Sequence, residues 1–220
     1  MSTPPPNAPR IAVLDYGAGN LRSVARALVR SGLDPEITSS PAAVRGADAV
    51  VLPGVGAFKD AAENLRAKGL SEAVCEFIAS GRPYLGLCLG LQVLFEESDE
   101  HGCSPGLSLL RGRVERFPAR DASGKRRRVP HIGWNQVRFT GQHPVLEGLP
   151  VEEAYYFVHA YRAVPREPGC VLGSTDYGDP FASVVGGERL FAVQFHPEKS
   201  QTAGRRLLDA YAGWVRRCSA

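Results

Sequence analysis

Residues 11 to 98 alternate between short apolar runs and stretches with helical periodicity, and few architectures accommodate that alternation. Ile11 to Asp15 (IAVLD) is a buried-strand run. From Asn20 to Ser31, the apolar Leu21, Val24, Ala25, Leu28 and Val29 share one face of a helix that Gly32 ends. The pattern returns in EIT (Glu36 to Thr38), in ADAVVLP ending at Pro53, and in a helical stretch from Phe58 to about Ala79 that Gly69 divides. PYLGL (Pro83 to Leu87) and a helix from Leu89 to about Ser98 complete it. Strands joined through helices need right-handed crossovers, which set parallel strands in one sheet with helices on both faces.

After Leu107 the texture changes. LLRGRVERF, GWNQVRF, AYYFVHAYR, CVLGSTD, FASVV and LFAVQF are strand-like and separated by Gly, Pro or Asp turns, and Ala203 to Cys218 forms a closing amphipathic helix. The predicted fold is therefore α/β: a doubly wound, mixed, mostly parallel sheet flanked by helices, with an added antiparallel portion in the second half. A chain of 220 residues with 44% hydrophobic and 22% charged residues suits one soluble core. We predict a single domain over residues 11–218 behind a loose, proline-rich arm of residues 1–10.

A net charge of +3 is too small to imply a nucleic-acid or membrane surface. MSTPPPNAPR lacks the basic and apolar segments of a leader, and no apolar run reaches the roughly 18 residues of a membrane span. A cytoplasmic protein is expected. Cys75, Cys88, Cys103, Cys170 and Cys218 are odd in number, scattered and without a C-x-x-C pair, which argues against disulfides and against a zinc site. Four of them read as small apolar packing residues.

Cys88 differs because GLCLGLQ sets it between Gly86 and Gly90 at a strand-to-helix turn. In open α/β sheets ligands gather at the carboxyl ends of strands. A G-x-nucleophile-x-G elbow there holds the reactive group exposed and strained while the glycines let strand and helix approach. The helix N-terminus favours the thiolate, the reactive form.

A thiol nucleophile needs a base, and the base needs an orienting partner. Of the five histidines, His101 and His143 lie in polar turns and read as solvated, His131 follows a basic run, and His159 ends an apolar strand. His196 also ends one, and Pro197 and Glu198 follow. Proline holds the residue before it extended, and residues two apart in an extended segment face one way, so Glu198 is placed to fix the His196 tautomer. The flexible Gly54-Val55-Gly56 loop after ADAVVLP, with the N–H of Leu89, supplies candidate oxyanion donors.

With the elbow and the distant H-P-E, the sequence resembles the class I, or triad, glutamine amidotransferases. IAVLDYGAGNLRSV, LPGVGAF, GLCLGLQVLFEESDE, PHIGWN, YFVHAYRA and FAVQFHPEKSQTAG, over about residues 11 to 204, are similar to the glutaminase subunits of imidazole glycerol phosphate synthases within that family. The resemblance implies that Cys88 attacks the side-chain amide of glutamine, that His196 moves protons and that Glu198 holds His196. It implies Gly54, Val55 and Leu89 at the oxyanion, and Gly56, Gln92 and Glu96 at the substrate. It implies no cofactor. The partner it implies is a separate (β/α)₈-barrel cyclase subunit in a heterodimer, with Asn20, Trp134, Tyr156 and Lys199 near the interface. The mobile glycines of the loop lead us to expect that the oxyanion site is not formed without that partner.

Ala160 replaces a hydroxyl residue found in many relatives of the F-V-H-x-Y segment, which leaves only backbone for a contact there. Lys125 to Arg128 reads as a solvated hairpin tip. Three other readings compete. Dinucleotide binding at DYGAGN, with Glu36 as the ribose acid, fails where Arg22 replaces the third glycine of the fingerprint. A thiol sensor leaves H-P-E without purpose. A glutaminase feeding a different synthase is set lower by DYGAGN and by the lack of a fused synthase domain.

Overall fold

The computed structural model describes residues 8–219. The chain runs β1 (Arg10–Leu14), α1 (Leu21–Arg30), β2 (Asp34–Thr38), α2 (Pro41–Gly46), β3 (Ala49–Leu52), α3 (Phe58–Ala67), α4 (Leu70–Ala79), β4 (Tyr84–Leu87) and a one-turn α5 (Leu89–Gln92). Then come β5 (Phe95–Ser98), β6 (Ser104–Pro105), β7 (Leu110–Arg116), β8 (His131–Phe139), β9 (Glu152–His159), β10 (Tyr161–Pro165), β11 (Val171–Asp176), β12 (Pro180–Gly187), β13 (Leu190–Val193) and α6 (Gln201–Ser219).

One mixed sheet carries all thirteen strands, with β2-β1-β3-β4-β13 as its parallel centre. Beyond β13 the ladders are antiparallel except for the β5–β7 pair. The central strands are buried on both faces by alternate residues. Ile11 and Val13 pack with α1 and α6 on one side, and Ala12 and Leu14 with α3 and α4 on the other. Gly69, in the left-handed conformation at φ 66°, separates α3 from α4 where the sequence places a break.

Four elements differ from expectation. α2 falls in a stretch to which the sequence pattern assigns no element; Ser40 caps it, accepting from Ala43 N–H, and Pro41 starts it. AYYFVHAYR is two strands, parted at Ala160. Arg10 belongs to β1 rather than to an arm; the rest of the proposed arm, residues 1–7, lies outside the described residues. The helix from Leu89 does not reach Ser98. The carbonyls of Val93, Leu94, Phe95 and Glu96 accept from N–H groups of Gly106 to Leu110, so non-local pairing replaces the next helical turns and Phe95–Ser98 becomes strand. Leu91, Val93, Leu94 and Phe95 are all buried, an apolar run whose periodicity does not separate helix from strand.

The sheet order assembles the site. β4 and β13 are parallel neighbours with Leu87 opposite Val193, so the residues that follow each strand emerge side by side. Cys88 follows the first and His196 the second.

Candidate active site

Cys88 occupies φ 53° and ψ −102°, a conformation that costs a non-glycine residue about 1–3 kcal/mol. Its N–H donates to Val193 O at 2.8 Å, and its carbonyl accepts from Leu91 and Gln92 N–H. The flanking glycines are required by contact. A Cβ on Gly86 would lie 2.5 Å from Gly90 O, and one on Gly90 only 1.8 Å from Leu52 O. The elbow is therefore wedged between β3 and α5, as its spacing predicts. The long helix whose dipole was to favour the thiolate is a single turn, so that contribution is small.

His196 is extended at φ −108° and ψ 94°, the restriction imposed by Pro197. Its N–H donates to Tyr156 O at 2.9 Å, and its carbonyl accepts from Ser200 Oγ, which itself accepts from Tyr156 N–H. β9 thus clamps the segment. Glu198 is not in an extended run, however. It lies in a 3-10 turn over Pro197–Lys199, and the turn brings Oε1 to 2.8 Å from His196 Nδ1. The side chains are 3% and 2% exposed. Burial disfavours the imidazolium, but Cys88 and Glu198 outweigh it and push the His196 pKa up to about 10.

A cavity of about 360 Å³ opens beside Cys88. Val55, Gly56, Leu89, Gln92, Glu100 and the segment Val158 to Tyr161 line it. Gly54 sits against the elbow: a Cβ there would lie 2.5 Å from both Leu89 Cβ and Tyr16 Oη. Gly56 has φ +102° and Val55 is 39% exposed. Lys199 reaches the rim.

Glu96 is not part of this cavity. It lies on β5, accepts from Gly112 N–H at 2.8 Å and pairs with Arg166 at 3.5 Å. Glu100 lines the cavity instead, accepting from Phe58 N–H at 2.6 Å. Helical spacing selects Glu96, whereas the strand and turn that replace the helix carry Glu100 to the cavity. The sequence reading also missed Gln194, which is fully buried with Nε2 3.4 Å from Cys88 Sγ, and Tyr16, whose buried phenol is held above its ordinary pKa by desolvation and by Cys88.

Trp134 (49% exposed) and Ile132 (60% exposed) project from β8, and Trp134 meets Tyr156 edge to face at 6.2 Å. Val158, opposite Ile132, lines the cavity, so this apolar face adjoins it. Asn20 is exposed at the start of α1, and α1 packs beside the turn that holds Lys199. His143 is buried rather than solvated, between Phe191 and Trp214. Nor is Lys125 to Arg128 wholly a solvated tip. The Arg127 side chain is 3% exposed, pairs with Asp179 at 2.5 Å and donates to the carbonyls of Tyr177 and Pro118.

Among the described residues the five cysteines are free thiols and no three His, Cys, Asp or Glu side chains come together to hold a metal ion. No helix among them is long and apolar enough to cross a membrane.

Residues 12–210 match the family model of glutamine amidotransferase class-I. The chain is 46% identical over 202 residues to imidazole glycerol phosphate synthase subunit HisH of Syntrophotalea carbinolica, covering 91% of this chain and 98% of that one. It is 48% identical over 206 residues to the same-named subunit of Moorella thermoacetica, with 94% and 95% covered. A solved glutamine amidotransferase superposes with a TM-score of 0.66 at 25% identity, covering 92% of this chain and 98% of that one. PurLQS from Thermotoga maritima superposes at 0.72 with 18% identity, covering 94% and 99%, a likeness of fold alone. Through its sequence, its sheet and its relatives, the chain belongs to the class I glutamine amidotransferase family.

Proposed function

We propose that the protein is the glutaminase subunit of an imidazole glycerol phosphate synthase, releasing ammonia from glutamine through Cys88, His196 and Glu198 for use in histidine biosynthesis. The observation that carries this reading is the buried His196–Glu198 pair beside a cysteine held on a strained elbow.

The thiolate adds to the amide carbon of glutamine, and the His196 imidazolium gives its proton to the departing ammonia. A glutamyl thioester remains on Cys88. The neutral His196 then takes a proton from water, whose oxygen attacks the thioester. Collapse expels the sulfur and leaves glutamate. Glu198 holds Nδ1 throughout, which keeps Nε2 toward the reaction. The oxyanion of each tetrahedral state falls to the Leu89 N–H and to the Gly54-Val55 loop. Gln92 and Gly56 line the substrate space, and the Glu100 carboxylate suits the α-ammonium of an amino-acid substrate.

The ammonia passes to a (β/α)₈-barrel cyclase subunit. Its docking face comprises Ile132, Trp134 and Tyr156, with Lys199 and Asn20 at the margin. Such a partner also has the means to set the Val55-Gly56 loop, which is exposed and borders both the cavity and the elbow. Glutamate release from the purified chain, alone and with the cyclase, for wild type and Cys88→Ala, tests the reading. Release that needs Cys88 and rises with the cyclase supports it; release stimulated only by another synthase reassigns the partner, and none under any condition overturns it.

A further inference from the structure

With the helix after Cys88 reduced to one turn, the side chain of Gln194 reaches the sulfur as a donor besides His196, Nε2 to Sγ at 3.4 Å. We propose that Gln194 is a further catalytic residue, donating to the Cys88 sulfur, and that two hydrogen-bond arms meeting at the Tyr161 carbonyl fix it: Gln92 orients the Gln194 amide from that carbonyl, and His159, His131 and Asn135 hold the carbonyl in place. The proposal rests on the reading of Cys88 as the nucleophile.

Each amide and imidazole in the two arms has one arrangement compatible with its neighbours. Asn135 Oδ1 accepts from Gln136 N–H at 2.8 Å, so its Nδ2 faces the Asp176 carbonyl at 2.8 Å and His131 Nε2 at 3.3 Å. His131 Nε2 must then accept, and its Nδ1 donates to His159 Nε2 at 3.2 Å. His159 Nδ1 in turn donates to the Tyr161 carbonyl at 2.8 Å. That carbonyl also accepts from Gln92 Nε2 at 3.0 Å. The second hydrogen of Gln92 Nε2 goes to Gln194 Oε1 at 3.1 Å, which leaves Gln194 Nε2 with only its donor face for the sulfur.

The histidine arm works only with both imidazoles neutral, and burial enforces that by lowering the pKa of His131 to about 4 and of His159 to about 3. Aromatic packing holds the rings: His131 stacks on Tyr177 and Phe157 with centroids 3.9 and 4.7 Å away. An amide N–H strengthens its bond to sulfur as the sulfur becomes anionic, so it favours the thiolate and any state in which sulfur leaves with the electron pair. At its far end the histidine arm reaches Asn135, next to exposed Trp134 on β8. The position of that strand therefore bears on the nucleophile. Asn135, His131 and His159 are positioning residues, since they touch no reacting atom.

The test is the pH dependence of Cys88 alkylation by iodoacetamide, followed on the Cys88 peptide by mass spectrometry so that the other four thiols do not contribute. The titrating groups coupled to the sulfur or lining its cavity, His196, Tyr16, His159, Glu100 and Lys199, are unchanged in every variant. Gln194→Leu should shift the profile to higher pH and slow alkylation below the transition by about tenfold. Gln194→Met keeps the length without adding a charge, loses the donor and should shift it the same way, which covers a failure of the leucine variant to fold. His131→Phe keeps the ring packing without the donor and should give a smaller shift in the same direction. His131→Asn restores a donor near Nδ1 and should return the profile toward wild type. Profiles for folded Gln194 variants that coincide with wild type overturn the assignment of Gln194, and coincident His131 profiles overturn the histidine arm. If glutamate release fails for wild type while the alkylation shifts appear, the glutaminase reading falls and the hydrogen-bond arms stand.

Discussion

His196 Nδ1 lies 2.8 Å from Glu198 Oε1, and the two side chains are 3% and 2% exposed. A carboxylate this deeply buried is held by the imidazole it faces, and the imidazole keeps its charge well above its ordinary range. Glu198→Gln removes one of the two attractions that raise the His196 pKa to about 10. We expect kcat/KM for glutamate release to fall by about 100-fold or more, and the alkaline limb of its pH profile to move to lower pH. The sign for stability follows from the same raised pKa. The contribution of the charged imidazole is fully present below 6.5 and is lost as pH rises through about 10. Urea unfolding between those limits should show a shallower decline for the variant than for wild type.

The strain at Cys88 separates stability from activity. With φ at 53° and ψ at −102°, the position suits glycine better than any residue with a Cβ. Cys88→Gly and Cys88→Ala should both abolish glutamate release. The glycine variant should nonetheless be the more stable of the two by about 1 kcal/mol, because alanine keeps the backbone strain without the thiol. Chemical denaturation of the pair decides it, and an alanine variant as stable as the glycine one would remove strain from the account.

What the sequence disclosed about this site follows from how local the physics is. The Cys88 elbow was legible because Gly86 and Gly90 answer to close backbone approach at fixed spacing. The His196–Glu198 pair was legible because Pro197 restricts the residue before it and the two lie close in sequence, although a turn rather than an extended run joins them. The parallel centre followed from strands alternating with helices. Glu96 was misplaced and Glu100 missed for one reason: Gly106 to Leu110 pair with the carbonyls of residues 93 to 96, a contact no local pattern announces. Gln194 was hidden for a similar reason, since its meeting with Cys88 depends on β13 lying beside β4.

Burial of neutral histidines sets the acid side of the stability curve. The pKa of His143 and of His131 falls to about 4 and that of His159 to about 3, in each case through desolvation first. A depressed histidine contributes stability that is present above the ordinary value of 6.5 and lost as pH falls through the folded one. Wild type should therefore lose stability between pH 6.5 and about 4 as the unfolded chain takes up protons the folded chain refuses. His143→Leu, remote from the catalytic cavity, removes one such proton and should reduce the slope by about 1.4 kcal/mol per pH unit inside that window. Urea midpoints measured across the range check it, and an unchanged slope would mean that His143 titrates normally.

The apolar face on β8 and β9 gives the proposed partner interface its sharpest test. Trp134 is 49% exposed beside Ile132 at 60%, and the Tyr156 ring meets the indole edge-on at 6.2 Å. Large aromatic side chains left open next to a functional cavity are the groups that carry binding energy when a partner covers them. Trp134→Ala should weaken the complex with the cyclase subunit by about 2 kcal/mol, a roughly 30-fold rise in Kd by titration calorimetry. Glutamate release stimulated by saturating cyclase should be largely retained, because Trp134 does not line the cavity around Cys88. A Kd within about twofold of wild type would move the docking face away from these strands.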